Sequence, residues 1–129
     1  MANFENSKWA PGQMRYFLHD KSFEMFEAQA KTYAATRSAY YASFLCFEGI
    51  RYFCRRNEKG KLELTFVNWD QNLERFRQSM AFNLGRQQQY LLPTREELED
   101  IFINKYFSHP ALRPYLEEMA EKGVQGYLR

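Results

Sequence analysis

Cysteine, histidine and long apolar runs are scarce in this chain, and each scarcity removes a class of function. There are two cysteines, Cys46 and Cys54. If both stand on one helix, eight residues set them about 12 Å apart, beyond disulfide reach. They read as reduced thiols in a reducing compartment, and Cys46, inside an aromatic stretch, reads as packing rather than as a nucleophile. The two histidines, His19 and His109, lie far apart in sequence. No CxxC, HExxH or other ligand spacing accompanies them, which argues against a metal site. A glycine-rich phosphate loop and a GxSxG elbow are also missing. No apolar run reaches the roughly 18 residues of a membrane span. The opening MANFENSKWAPGQM lacks an apolar signal core, and with Glu5 and no clustered arginine it is a poor transit peptide. The expectation is therefore no catalytic residue, no cofactor of its own and no metal.

Aromatic rings, by contrast, are abundant. The chain has 129 residues, and twelve Phe, nine Tyr and two Trp bring its aromatic share to 18%. That is one domain's worth of chain with a modest core, so rings on this scale have to be buried in that core or against partners. The net charge is +2, too small by itself to imply nucleic acid.

Periodicity predicts a mainly α, small helical protein. Residues 1–19 are polar and aromatic, broken by Pro11-Gly12, and read as an extended arm; residues 20–129 read as a single helical domain. Asp20 or Ser22 can N-cap the next segment. Phe23, Phe26, Ala30, Tyr33, Arg37, Tyr40, Phe44 and Phe47 alternate spacings of three and four, predicting one long helix over about 22–48. Across 52–67, NEKG suits a turn with Gly60 in the left-handed position, and KLELTF alternates; a short hairpin fits, and so does a helix ending near Arg56 followed by a loop. Three C-terminal helices follow. The first carries Trp69, Leu73, Phe76, Met80 and Leu84 behind an Asn68/Gln71 capping box. The second bears Leu98, Ile101, Phe102 and Tyr106 behind Thr94/Glu97, with the acidic EELED run simply at its N-terminus. The third bears Leu112, Tyr115, Leu116 and Met119 and ends at Gly123.

The long helix has a second stripe. Ala35, Ala39 and Ser43 recur every four residues, a spacing that allows close approach by another helix. Arg37 interrupts the aromatic stripe, where it can snorkel, stack on a tyrosine, or meet a partner carboxylate or lipid phosphate. The stretch fits a central helix of the protein's own bundle or a face for a partner or lipid; as a membrane span it would carry Arg37, Glu48 and Arg51 at high cost. Arg75, Arg77 and Arg86 read first as a solvated or salt-bridged face, with phosphate contact as the sharper alternative.

The C-terminal stretch brings a resemblance. ERFRQSMAFNLGRQQQYLLPTREELEDI followed by RPYLEEM resembles subunit 7 of the mitochondrial cytochrome b-c1 complex, the ubiquinol-binding subunit of respiratory complex III. The matching positions are Arg77, Ala81 and Leu84, then Leu92-Pro93, then Pro114, Tyr115 and Leu116. Upstream, GIRYFCRRNEKGKLEL is similar to the family's segment at Gly49, Ile50 and Arg51. The match lies mostly within 49–120. It departs from the pattern at Leu98, near the place of a usual tryptophan, and in the longer spacing between the two proline motifs; residues 1–48 have no counterpart.

The resemblance implies a non-catalytic accessory subunit, peripheral on the matrix side of the mitochondrial inner membrane. Its partners would be cytochrome b and the core subunits, with room for lipid contact and no nucleic acid, and the redox cofactors would belong to other subunits. Partner contacts are expected at Ala35, Arg37, Ala39, Ser43, Arg51, Arg77 and Tyr115. The alternative is a free-standing helical protein- or nucleic-acid-binding module. If the small-residue stripe is an interface, Ala39→Leu blocks close helix approach and lowers recovery of the protein in any assembly, measured by native gel electrophoresis; unchanged assembly and stability would remove the stripe from consideration.

Overall fold

The computed structural model describes residues 10–27, 46 and 48–128. It is an α/β arrangement of two antiparallel sheets and several helices, and this corrects the mainly helical expectation. The chain opens with a hairpin of β1 (Gly12–Phe17) and β2 (Ser22–Glu27). A second hairpin pairs β3 (Ile50–Arg56) with β4 (Leu62–Phe66). Helix α1 (Trp69–Asn83) leads through a 3-10 turn, Arg86–Leu91, to the short α2 (Arg95–Glu99), which runs on into a π-helix, Asp100–Phe107. A 3-10 turn, Pro110–Leu112, opens α3 (Arg113–Lys122), and β5 (Gln125–Leu128) closes the chain. β5 returns to pair with β3, so the second sheet has the order β4-β3-β5.

The start of the expected long helix is therefore a strand. Phe23, Phe26 and the spacing that continues from them fit a helix, but Phe23 and Met25 also alternate with Ser22 and Glu24, and a short aromatic window satisfies both periods. Pairing decides between them: Met14 faces Met25, and Tyr16 faces Phe23, across β1 and β2. Asp20 acts as the expected local acceptor, but in a turn rather than a helix cap. Its Oδ1 accepts from Ser22 N at 3.0 Å and from Ser22 Oγ at 2.7 Å, and Lys21 takes a φ of 57° to close the loop. The expected extended arm becomes strand from Gly12 onward. Positions 28–45 and 47, which include the small-residue stripe and most of the aromatic one, lie outside the described residues.

Of the two readings for 52–67, the hairpin is found. Asn57 Oδ1 accepts from the backbone N–H groups of Lys59 and Lys61, both at 3.0 Å, and Gly60 has a φ of 74°. All three C-terminal helices are present, with different ends. Asn68 makes no side-chain cap; it stands at φ 54°, turning the chain from β4 into α1. Thr94 Oγ1 does cap, accepting from Glu97 N at 3.1 Å, and Gly123 ends α3 at φ 63°.

Two packed clusters hold these elements together. Tyr52, Cys54, Tyr106, Phe107, Leu112, Leu116 and Met119 form one. Ile50, Leu73, Leu98, Ile101 and Phe102 form the other. Met14 and Phe23 of the first hairpin pack against both. The π-helix suits this arrangement, because its i→i+5 bonding brings residues five apart onto one face. The buried positions are Ile101 and Phe102, then Tyr106 and Phe107, five residues later in each case.

Gly126 is required by a neighbour. A Cβ there would stand 2.2 Å from a carbon of the Tyr52 ring, so Gly126→Ala is expected to cost about 1–3 kcal/mol through overpacking. Gly85, with open space around it, should accept alanine within about 0.5 kcal/mol. Urea unfolding of the two variants separates them; equal midpoints would mean that the Tyr52–Gly126 contact does not constrain the fold.

Candidate interaction surfaces

The residues expected to meet partners do not gather into one site. Ala35, Arg37, Ala39 and Ser43 lie outside the described residues. Arg51 is exposed on β3. Arg77 is half-buried and donates from Nε to the Pro93 carbonyl at 3.0 Å, with Nη1 3.5 Å from Glu74; it ties α1 to the Leu92-Pro93 step. Tyr115 is half-buried against the first core cluster, as a neighbour of Tyr52. Burial, foremost, and then this neighbour hold Tyr52 in its neutral form by pushing its ionisation well up. Burial likewise pushes Tyr106 up to about 12, and its hydroxyl donates to the Gly12 carbonyl at 2.8 Å.

The titratable side chains with chemical potential are dispersed or occupied. Cys54 is buried, and burial raises its thiol pKa, which keeps it protonated and inert. Cys46 is half-buried, and both thiols are free. Since Cys54 lies on a strand, the helical distance argument for this pair does not apply. His109 accepts from Ala111 N at 3.1 Å and caps the 3-10 turn, whereas His19 sits beside Asp20, 3.8 Å away. Among the described residues no three His, Cys, Asp or Glu side chains stand close enough to share a metal ion. Glu99 of the acidic run accepts from Trp69 Nε1 at 3.0 Å and from Arg95 Nε at 3.2 Å; Arg95 also reaches Asp70. These contacts join α1 to α2.

Two surfaces stand out. The first surrounds the end of α1, where Phe82 is 90% exposed and Tyr90, on the following 3-10 turn, is 81% exposed. Phe82 rims a depression of about 330 Å³ lined also by Cys46, Arg75, Gln78, Ser79 and Asn83. Arg75 is held there by Glu48, to which it donates from Nε at 2.8 Å and from Nη2. Gln89 Nε2 reaches the carbonyls of Ala81 at 2.8 Å and Leu84 at 2.9 Å, satisfying the end of α1 and keeping the turn folded back on it.

The second surface is the outer face of the β4-β3-β5 sheet. Alternation along β3 sends Ile50, Tyr52 and Cys54 inward, and Arg51, Phe53 and Arg55 to the other side. On β5, Tyr127 stands directly opposite Arg51, and Gln125 opposite Phe53; on β4, Glu63 stands opposite Arg55, and Thr65 opposite Phe53. The Arg55 guanidinium lies over the Phe53 ring at 5.8 Å. The hydroxyl end of Tyr127 reaches Gly49, where a Cβ would stand 1.7 Å from its oxygen. The sequence signal of this surface is Arg51, Phe53 and Arg55 at alternate positions, the period of a strand. β5 left little signal, being four residues just past a helix end.

No family model matches the chain, and neither do any curated proteins or solved structures. Among the described residues no helix is long and apolar enough to cross a membrane.

The Glu48–Arg75 pair yields a pH test. The Glu48 side chain is 9% exposed, and hydrogen bonding from Arg75 holds its carboxyl below the ordinary value of 4.5 against the opposing effect of burial. A depressed folded-state pKa adds stability that is full above the unfolded value and is lost as pH falls through the folded one. Glu48→Gln should therefore be less stable than the native chain at pH 7, with the gap closing below about 4.5. Urea midpoints across pH 3–7 check this; a pH-independent gap would refute the ionic contribution.

Proposed function

We propose that the chain is a non-catalytic accessory subunit of a mitochondrial ubiquinol–cytochrome c oxidoreductase. In this reading it lies peripherally on the matrix side of the inner membrane, packs against cytochrome b and the core subunits, and supports assembly and electron transport. The redox cofactors stay with other subunits. One observation supports the reading above the rest: motifs of the resemblance that are separate in sequence meet in space. Arg77, from the arginine-bearing helix, is bonded to Pro93 of the Leu-Pro step. Pro114, Tyr115 and Leu116 form the opening of α3, whose buried side packs on β3 and the first core cluster. The helical unit so formed exposes Phe82 and Tyr90, large rings of the kind that partner surfaces cover.

The fold weighs against a full correspondence. The mainly helical architecture expected of the chain does not hold for 12–27, 50–66 and 125–128, and of these 50–66 lies within the resemblance. The alternative, a free-standing binding module, draws its support from the aromatic and basic outer face of the sheet.

Affinity purification of the tagged chain from gently solubilised native membranes, read by reduced-minus-oxidised spectra, is the direct test. Co-enrichment of b- and c-type haem bands is expected, and Phe82→Asp with Tyr90→Asp should lower it several-fold. A haem-free preparation would overturn the accessory-subunit reading and leave the free-standing module.

A further inference from the structure

We propose that the β1–β2 hairpin is a detachable strap. It swings off the rest of the molecule as one unit, and the bond from the Tyr106 hydroxyl to the Gly12 carbonyl is its latch. This does not rest on the accessory-subunit reading, and each proposal can fail alone.

Burial is the first ground. β1 and β2 form a sheet of their own, and the backbone neighbours of each strand are chiefly those of the other. From Gly12 to Glu27, Gly12 alone is buried. Met14, Tyr16, Phe23 and Met25, on the inward side, are half-buried, whereas the second sheet buries Ile50, Tyr52 and Cys54. A segment with little buried apolar surface opens at a lower free energy than the core it lies on.

Fastening is the second ground. Among the described residues three polar contacts cross from the hairpin to the rest of the chain. Lys21 and Glu97 stand 4.0 Å apart with both side chains exposed, a pair of the kind that adds little. Lys105 lies over the Tyr16 ring at 5.6 Å, a modest attraction where water has access. The third, Tyr106 to Gly12 at 2.8 Å, is buried, so its loss leaves a carbonyl without a partner. Within the hairpin the ties are denser. Six facing pairs run from Gly12–Glu27 to Phe17–Ser22, Asp20 holds the turn, and Arg15 reaches Glu24 at 3.8 Å and lies over the Phe26 ring at 5.1 Å. The hairpin is thus bound more firmly to itself than to its seat. Because Met14 and Phe23 pack on both core clusters, undocking uncovers apolar ground of both at once.

The test is native-state hydrogen exchange of the full chain, followed by NMR over a series of low urea concentrations. A lone two-stranded hairpin is marginal in water, so its ladder amides exchange from the undocked state. Those of β1 and β2 are expected to exchange faster than those of β3, β4 and β5, with one common urea dependence shallower than that of global unfolding. Tyr106→Phe should speed hairpin exchange about tenfold. Gly126→Ala, which strains the second sheet only, should speed exchange there and leave the hairpin rates unchanged. If Tyr106→Phe loses the native near-ultraviolet spectrum, Tyr16→Leu supplies the same test by removing the ring beneath Lys105. Exchange of both sheets at one free energy and one urea slope would overturn the strap, as would hairpin amides that accelerate in step with the second sheet in Gly126→Ala. Unchanged hairpin exchange in folded Tyr106→Phe would overturn the latch.

Discussion

The Tyr52 ring occupies the place where residue 126 would otherwise carry a side chain, and much of the molecule follows from that contact. Tyr52 and Gly126 are directly paired across β3 and β5. From there the ring meets Phe107 edge-on at 4.9 Å and tilts against Phe66 at 6.2 Å. One side chain thus joins both neighbouring strands to the π-helix. Its burial, with 4% of its surface left exposed, commits β3 to one register, since a slip by one residue would exchange the two faces. Committing Tyr52 inward sends Arg51 and Phe53 outward. The outer face is therefore a consequence of the core, and it needs no separate folding instruction.

The first hairpin is held by a different device. Its inward side offers Met14, Tyr16, Phe23 and Met25, all only half-buried, which is modest apolar cover for two strands. The Gly12 carbonyl is buried where it meets the π-helix, and an unsatisfied carbonyl there would cost a desolvation penalty. The Tyr106 hydroxyl removes that penalty. It can do so because the wider π-helical turn brings Tyr106 and Phe107 onto the face already used by Ile101 and Phe102. In a regular α-helix, residues five apart drift off a common face. The local distortion thus lets one face of the helix serve both core clusters and supply a hydroxyl for the hairpin.

What could be read in advance divides along physical lines. Local turn chemistry was legible: Gly60, Gly123 and Thr94 each do what their side chains, or lack of them, dictate. Asp20 is legible as a local acceptor but not as a turn residue, because an aspartate serves a turn and an N-cap by the same bond. The apolar stripes of the C-terminal helices were legible too, since Leu73, Leu98, Ile101, Phe102, Leu116 and Met119 are all buried. Strand pairing was not. β2 borrowed the periodicity of the residues that follow it, and β5 is defined by its partner β3 at a distance of some seventy residues in sequence. Among the candidate contacts, Arg77 looked like a surface cation and is instead a bond between α1 and Pro93. Nothing local to Arg77 announces that, because the carbonyl it meets is supplied by tertiary packing.

Net charge is equally silent about tertiary placement. A total of +2 spread evenly over 129 residues would say little about a partner. Folding does not spread it evenly. Outside the hairpin many charges are paired at close range, Arg75 with Glu48, Arg95 with Glu99, Arg113 with Glu117, and Lys122 with Glu118. Apart from the Glu48–Arg75 pair, whose carboxylate is largely buried, these pairs are exposed and add little stability individually, but they do neutralise their surroundings. On the outer sheet face Arg55 stands opposite Glu63, and Arg51 opposite Tyr127, with Phe53 between the two arginines. The end of α1 has the opposite character, for Phe82 and Tyr90 stand exposed where Arg75 is already paired. An apolar surface of that sort gains from covering by another protein, whereas the sheet face, with Arg55 opposite Glu63, carries both signs of charge beside its rings. The two faces thus differ in the chemistry they can reward, and occupation of one is no argument against occupation of the other.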